Sequence, residues 1–198
     1  RHRTRYVSKG NYNVTRMGYL QNLSPDAKFI IPIREPVGHV ISLMKQHTRF
    51  CEAGRKDARI TEHMSQVGHF EFGLNRIPVN IGDWQRIEAI QQAWSNGEEI
   101  RGLALYWDMV YRFVYNQLKA DAPLAENSKI IAHHTLCADP KTTIRDMLNH
   151  CQLRVDEAWI DAQAQTISER ESKWSLTLEE IALIKDITGE TAALFHIT

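Results

Sequence analysis

Apolar residues recur in this chain in two rhythms, one of strands and one of helices. Thr4-Arg5-Tyr6-Val7-Ser8 reads as a short strand, followed by the polar turn Lys9-Gly10-Asn11-Tyr12-Asn13. Val14, Met17, Leu20 and Leu23 then fall at helical spacing, and Ser24-Pro25-Asp26 breaks that helix. Lys28-Phe29-Ile30-Ile31-Pro32-Ile33 is a near-continuous apolar run, the pattern of a strand buried on both faces of a parallel sheet. Pro32 is awkward there, because it has no N–H to give to a ladder.

After Arg34-Glu35 a helix is expected, with Pro36 in its first turn, where a missing N–H costs nothing. Its apolar stripe is Val37, Val40, Ile41 and Met44. Residues 51–82, rich in Gly, His and charge, read as an irregular insertion anchored by Phe70 and Phe72. Such a stretch could line an acceptor pocket. Helical patterns cover about 83–96 and 98–120, and Lys129-Ile130-Ile131-Ala132 reads as a second apolar strand. Asp139-Pro140 starts a helix with an N-cap acceptor and a proline at its first position. A helix over about 156–167 follows, and Thr177 with Glu180 forms a capping box for the last one. Trp84, Trp94, Trp107 and Trp159 occupy helical positions and read as core.

This alternation predicts one helix-rich α/β domain over 1–198, with a mostly parallel sheet covered by helices. Ligands of such sheets bind beyond the carboxyl ends of the strands. Lys9, Arg34 and the pair His133-His134 each come just after a predicted strand, so all of them are expected on one rim.

Composition narrows the function classes. Of 198 residues, 43% are hydrophobic and 24% charged, with Lys plus Arg and Asp plus Glu both at 24. That balance speaks against a nucleic-acid or membrane-surface protein, and any anion site must be local. Cys51, Cys137 and Cys151 are scattered, poor material for a disulfide framework or zinc site, and fit a reducing cytoplasmic setting. No apolar run approaches a membrane span, and no signal peptide is visible. The sequons at Asn13 and Asn22 lie in an expected helix and read as chance. His63, His69, His133, His134 and His150 lack ligand spacing, so no metal is expected. The chain opens on Arg1 and is strand-like within a few residues, so an upstream segment is expected.

The most informative stretch is Asp26 to Val37, with Ser42 eight residues after Arg34. A guanidinium leaving a strand tip matches phosphate geometry with paired donors. The following helix adds a positive dipole end, and Ser42 offers a hydroxyl. The bland alternative pairs Arg34 with a carboxylate and leaves Ser42 facing solvent.

This segment resembles the 3′-phosphate motif of sulfotransferases that use 3′-phosphoadenosine 5′-phosphosulfate (PAPS). In that motif an apolar strand ends in Arg-Asp/Glu-Pro and a serine follows eight residues after the arginine. The resemblance implies that Arg34 and Ser42 hold the 3′-phosphate. Tyr6-Val7-Ser8-Lys9 resembles the family's preceding strand, whose lysine, here Lys9, contacts the transferring group or its leaving oxygen. Lys129 to Pro140 is similar to a later strand and its Asp-Pro helix start, which puts His133 at an adenine-side position. Arg170 to Trp174 is similar to the basic segment that closes over the 3′-phosphate, implying roles for Arg170 and Lys173. Residues 51–100 match nothing in the pattern. The implied fold is a P-loop-like three-layer α/β domain, incomplete at its N-terminus.

The departures are equally specific. His133-His134-Thr135 stands where the family has Tyr-Glu-Asp. Asn11 stands where cytosolic small-molecule enzymes place a catalytic histidine, so the general base is unassigned. No Gly-rich loop precedes Arg5, and the 5′-phosphosulfate would lack its backbone cradle. The implied reaction is sulfuryl transfer from PAPS to a hydroxyl or amine of a small molecule or carbohydrate, leaving PAP. The alternatives are a non-catalytic scaffold with the same fold and a P-loop nucleotide kinase. The kinase would need a Walker lysine and magnesium ligands that the sequence does not supply.

Overall fold

The computed structural model describes residues 5–168 and 174–197. Arg5 to Gly10 form exposed coil rather than the expected strand, with Tyr6 and Val7 90% and 83% exposed. A strand needs a ladder partner, and among the described residues none lies alongside. Arg5 instead donates to the carbonyls of Cys151 (2.7 Å) and Gln152 (3.3 Å).

The predicted first helix is a 3-10 turn, Asn11–Arg16, running into α1, Met17–Leu23. Met17 is buried while Leu23 stays 66% exposed. β1 (Phe29–Ile33) and β2 (Ser128–Ala132) pair in parallel, with Phe29 opposite Ser128 and Ile33 opposite Ala132. Phe29 N–H donates to Asn127 O at 2.8 Å. Parallel ladders bond alternate residues, so 29, 31 and 33 face β2 and Pro32 faces the open edge. There its missing donor costs nothing.

Ten helices are described. α2 (Pro36–Lys56) and α3 (Ala58–Gln66) run far into the stretch expected to be irregular, which shrinks to 67–83. Asp57 ends one helix and caps the next, accepting from Arg59 N–H at 3.0 Å. Gly54, within the stretch expected to be irregular, is buried in α2, where the chain packs back against Thr61 and Leu74. α4 (Trp84–Ser95) and α5 (Glu99–Ala120) follow the predicted pattern closely. α6 (Ala122–Glu126) leads into β2, then come α7 (His133–Ala138), α8 (Pro140–His150) and α9 (Glu157–Ala164). α10 (Leu178–Leu194) opens with the complete Thr177–Glu180 capping box.

α5 is the central post, packing against α2, α4 and α10. Trp107 and Val114 on it meet Ile33, Met17, Leu124 and Phe195, while Leu103 and Ala104 meet Val40 and Ile184. Trp107 is core as expected, and Trp94 is half-buried beneath the Arg76 guanidinium, 3.8 Å from its ring centre. Trp84 and Trp159 are not core: they stay 69% and 46% exposed. The protein is helix-rich and α/β-like, with a two-strand parallel sheet among the described residues rather than a broad one.

Candidate functional site

Ile33, 1% exposed, pins the tip of β1, and the chain leaves the sheet at Arg34. Glu35 is the N-cap of α2: its Oε1 accepts from Gly38 N–H at 2.6 Å, and Pro36 opens the helix. The Arg34 side chain folds back across this first turn. A methyl group on Gly38 would sit 2.9 Å from Arg34 Nη2, 3.0 Å from Nε, and against Glu35 Oε1. Among the described residues Arg34 has no hydrogen bond or ion pair, so its donors remain available for an anion.

Ser42 lies one turn beyond Gly38 on α2 and is partly exposed. Residues four apart are neighbours on one helix face. The guanidinium over Gly38 and the Ser42 hydroxyl therefore share a face. Helix α2 also contributes its positive end, although Glu35 already occupies the Gly38 amide.

His39, next in sequence to Gly38, adds a group that the sequence pattern did not single out. The residue retains some exposure, but its Nδ1 is sealed from solvent and has no hydrogen-bond partner. Its ring tilts against Tyr111 of α5, with centroids 6.0 Å apart. Burial first, then the nearby charges of Arg34 and His133, push its pKa down to about 4. Burial likewise pushes the Tyr111 phenol up to about 12, and its hydroxyl donates to Pro32 O at 3.3 Å.

His133 is the first residue of α7, immediately after β2, and its Nε2 lies 3.7 Å from Cys137 Sγ. Because Ile33 pairs with Ala132, the two strand tips deliver Arg34 and His133 to the same rim. Lys9 does not join them. It lies in exposed coil and makes no hydrogen bond or ion pair among the described residues. His134 is exposed. Arg170 and Lys173 lie outside the described residues.

The segment after Lys9 is tied elsewhere. Asn11 donates to Glu71 Oε1 at 3.0 Å, and Phe70 N–H donates to the Tyr12 hydroxyl at 2.9 Å. Burial raises the Glu71 pKa, but the donors around it more than offset this and hold the carboxyl below its ordinary value. The sequence carried no signal for this cluster, because its members are distant in the chain.

Two concavities have walls that include none of Arg34, His39, Ser42 or His133, although the first reaches Ala132 and Thr135 on either side of His133. One, of about 690 Å³, runs along β2 between Leu118, Phe195 and Thr143; the other, about 560 Å³, lies between α4 and α5 beside Arg86 and Arg112. Both arginines of the second pair with Asp108, although Arg112 Nε is buried without a partner. Among the described residues no three His, Cys, Asp or Glu side chains converge as a metal site would need, and no helix is long and apolar enough to cross a membrane. Searches of family models, of curated proteins and of solved structures each returned no match to this chain.

Proposed function

We propose that this chain carries the 3′-phosphate half of a PAPS-dependent sulfuryl-transfer site, within a P-loop-like three-layer fold. The observation that carries the reading is the unpaired Arg34 guanidinium lying across Gly38, one helical turn below the Ser42 hydroxyl. The donor set fits a phosphate monoester: a forked cation, a hydroxyl and a helix start. PAPS is the sulfuryl donor and PAP the product, and the acceptor is a hydroxyl or amine of a small molecule or carbohydrate. A cytoplasmic setting suits three free cysteines.

In this reading the chain's residues position the donor and neutralise charge, the main sources of rate in the analogous phosphoryl transfers. Arg34 and Ser42 grip the 3′-phosphate, His133 flanks the adenine side, and Arg170 and Lys173 close over the phosphate. Lys9 steadies charge on the leaving 5′-phosphate oxygen, which requires its segment to approach the rim. Its exposure in coil favours a second reading, a binding domain that keeps the nucleotide site without the chemistry.

Calorimetric titration with PAP tests the reading. Micromolar binding should weaken about 10–100-fold in Arg34→Ala, the value of one charge-assisted contact of ~1.5–3 kcal/mol. Absence of saturable binding, or equal binding by the variant, overturns it. Turnover of PAPS with a panel of acceptors separates the enzyme from the binding domain.

A further inference from the structure

His39 is a buried polar group that the phosphate reading leaves unused. Sealed, unpartnered polar atoms are costly unless a partner arrives, so Nδ1 is poised for one. The groups around it define what that partner must be. Arg34 and Glu35 stand at the strand tip, Tyr111 closes the ring's side from α5, and His133 opens α7 at the neighbouring strand tip, near enough to act on the charge of His39. Glu35 is committed to the helix start, its carboxylate to Gly38 N–H and its carbonyl to His39 N–H. The remaining influences on His39 are cationic or neutral, which disfavours a second positive charge until an anion enters.

We propose that His39 is the proton-accepting second cation of the phosphate site. Its ring is neutral when the site holds no anion, and takes up one proton from solvent when a phosphate monoester dianion lodges against Arg34. The ring then carries N–H on both nitrogens, and Nδ1–H donates to a phosphate oxygen. No bond other than N–H forms or breaks. The inference rests on the phosphate reading above and adds its regulation: nucleotide affinity rises as the pH falls from about 7.5 towards 6, because the bound state holds one more proton.

The test is PAP binding by calorimetry in buffers of different ionisation enthalpy, between pH 6 and 8, comparing the native chain with His39→Gln and His133→Gln. The expected result is proton uptake approaching one per PAP at the acid end, retained in His133→Gln and lost in His39→Gln. The ring proton of His39, followed by NMR, should titrate about three pH units higher with PAP than without it, rising from about 4 to about 7, a readout that needs no variant to fold. Binding that depends on Arg34 but shows the same proton uptake in His39→Gln, or an unchanged His39 titration, overturns this inference and leaves the phosphate reading intact. Absence of PAP binding by the native chain overturns both.

Discussion

Arg34 lies flat across Gly38, its Nη2 2.9 Å and its Nε 3.0 Å from the place a Cβ would take. Gly38→Ala must therefore push the guanidinium off the helix start and crowd the Glu35 cap. A better helix former would ordinarily stabilise α2 by up to about 1 kcal/mol. Here crowding should cancel that gain, and PAP affinity should fall about tenfold or more with the loss of Arg34 geometry. Thermal unfolding together with PAP titration checks both halves.

His39 should make the fold acid-sensitive. Its folded pKa, about 4, is below the 6.5 of an unfolded histidine. The unfolded chain then binds the extra proton first, so the stabilisation is complete above pH 6.5 and lost as the pH falls towards 4. The amount is about 3 kcal/mol from the linkage of the two values. Urea midpoints measured across that window should converge between the native chain and His39→Gln as the pH falls. Parallel curves would show that His39 is not the group responsible.

Asp108 on α5 is the buried acceptor that ties α4 and α10 to the central helix. It is 3% exposed on α5, accepts from Arg86 and from Thr191, and lies 3.4 Å from Arg112. Removing the acceptor leaves Arg86 and Arg112, each about a third exposed, to water, but strips the fully buried Thr191 hydroxyl of its partner, a loss of about 1–3 kcal/mol. Asp108→Ala should lose that much in denaturant unfolding, more than Arg112→Ala, whose other contact is the exposed Glu190.

Gly54 is packing rather than punctuation. A Cβ there would strike Thr61 Oγ1 and come within 3.2 Å of Leu74. Gly54→Ala should destabilise by about 1–3 kcal/mol through overpacking between α2 and α3, despite the gain in helix propensity. A paired Thr61→Ala change should recover part of the loss, which a double-mutant cycle measures.

Local grammar carried much of the architecture. Asp139-Pro140 opens α8 and Thr177 with Glu180 opens α10 because caps act through bonds to the next three residues. The periodicity over 98–120 located α5 because its apolar face is long and regular. The same logic failed at 51–66, where Gly54 and a run of charge mimic a loop. Propensity counts residues, whereas Gly54 is held in helix by Thr61 and Leu74 against it. It failed again at Arg5 to Ser8, whose strand-like pattern finds no ladder neighbour among the described residues.

The candidate site divides in the same way. Arg34, Gly38 and Ser42 share a helix start, so their spacing alone placed a cation and a hydroxyl on one face, because an α-helix repeats every 3.6 residues. The pairing of Ile33 with Ala132, the arrival of His133 at the Arg34 rim, and the packing of His39 against Tyr111 join segments far apart in the chain. Those depend on which surfaces are buried together, a property of the packed whole that no short window of residues contains.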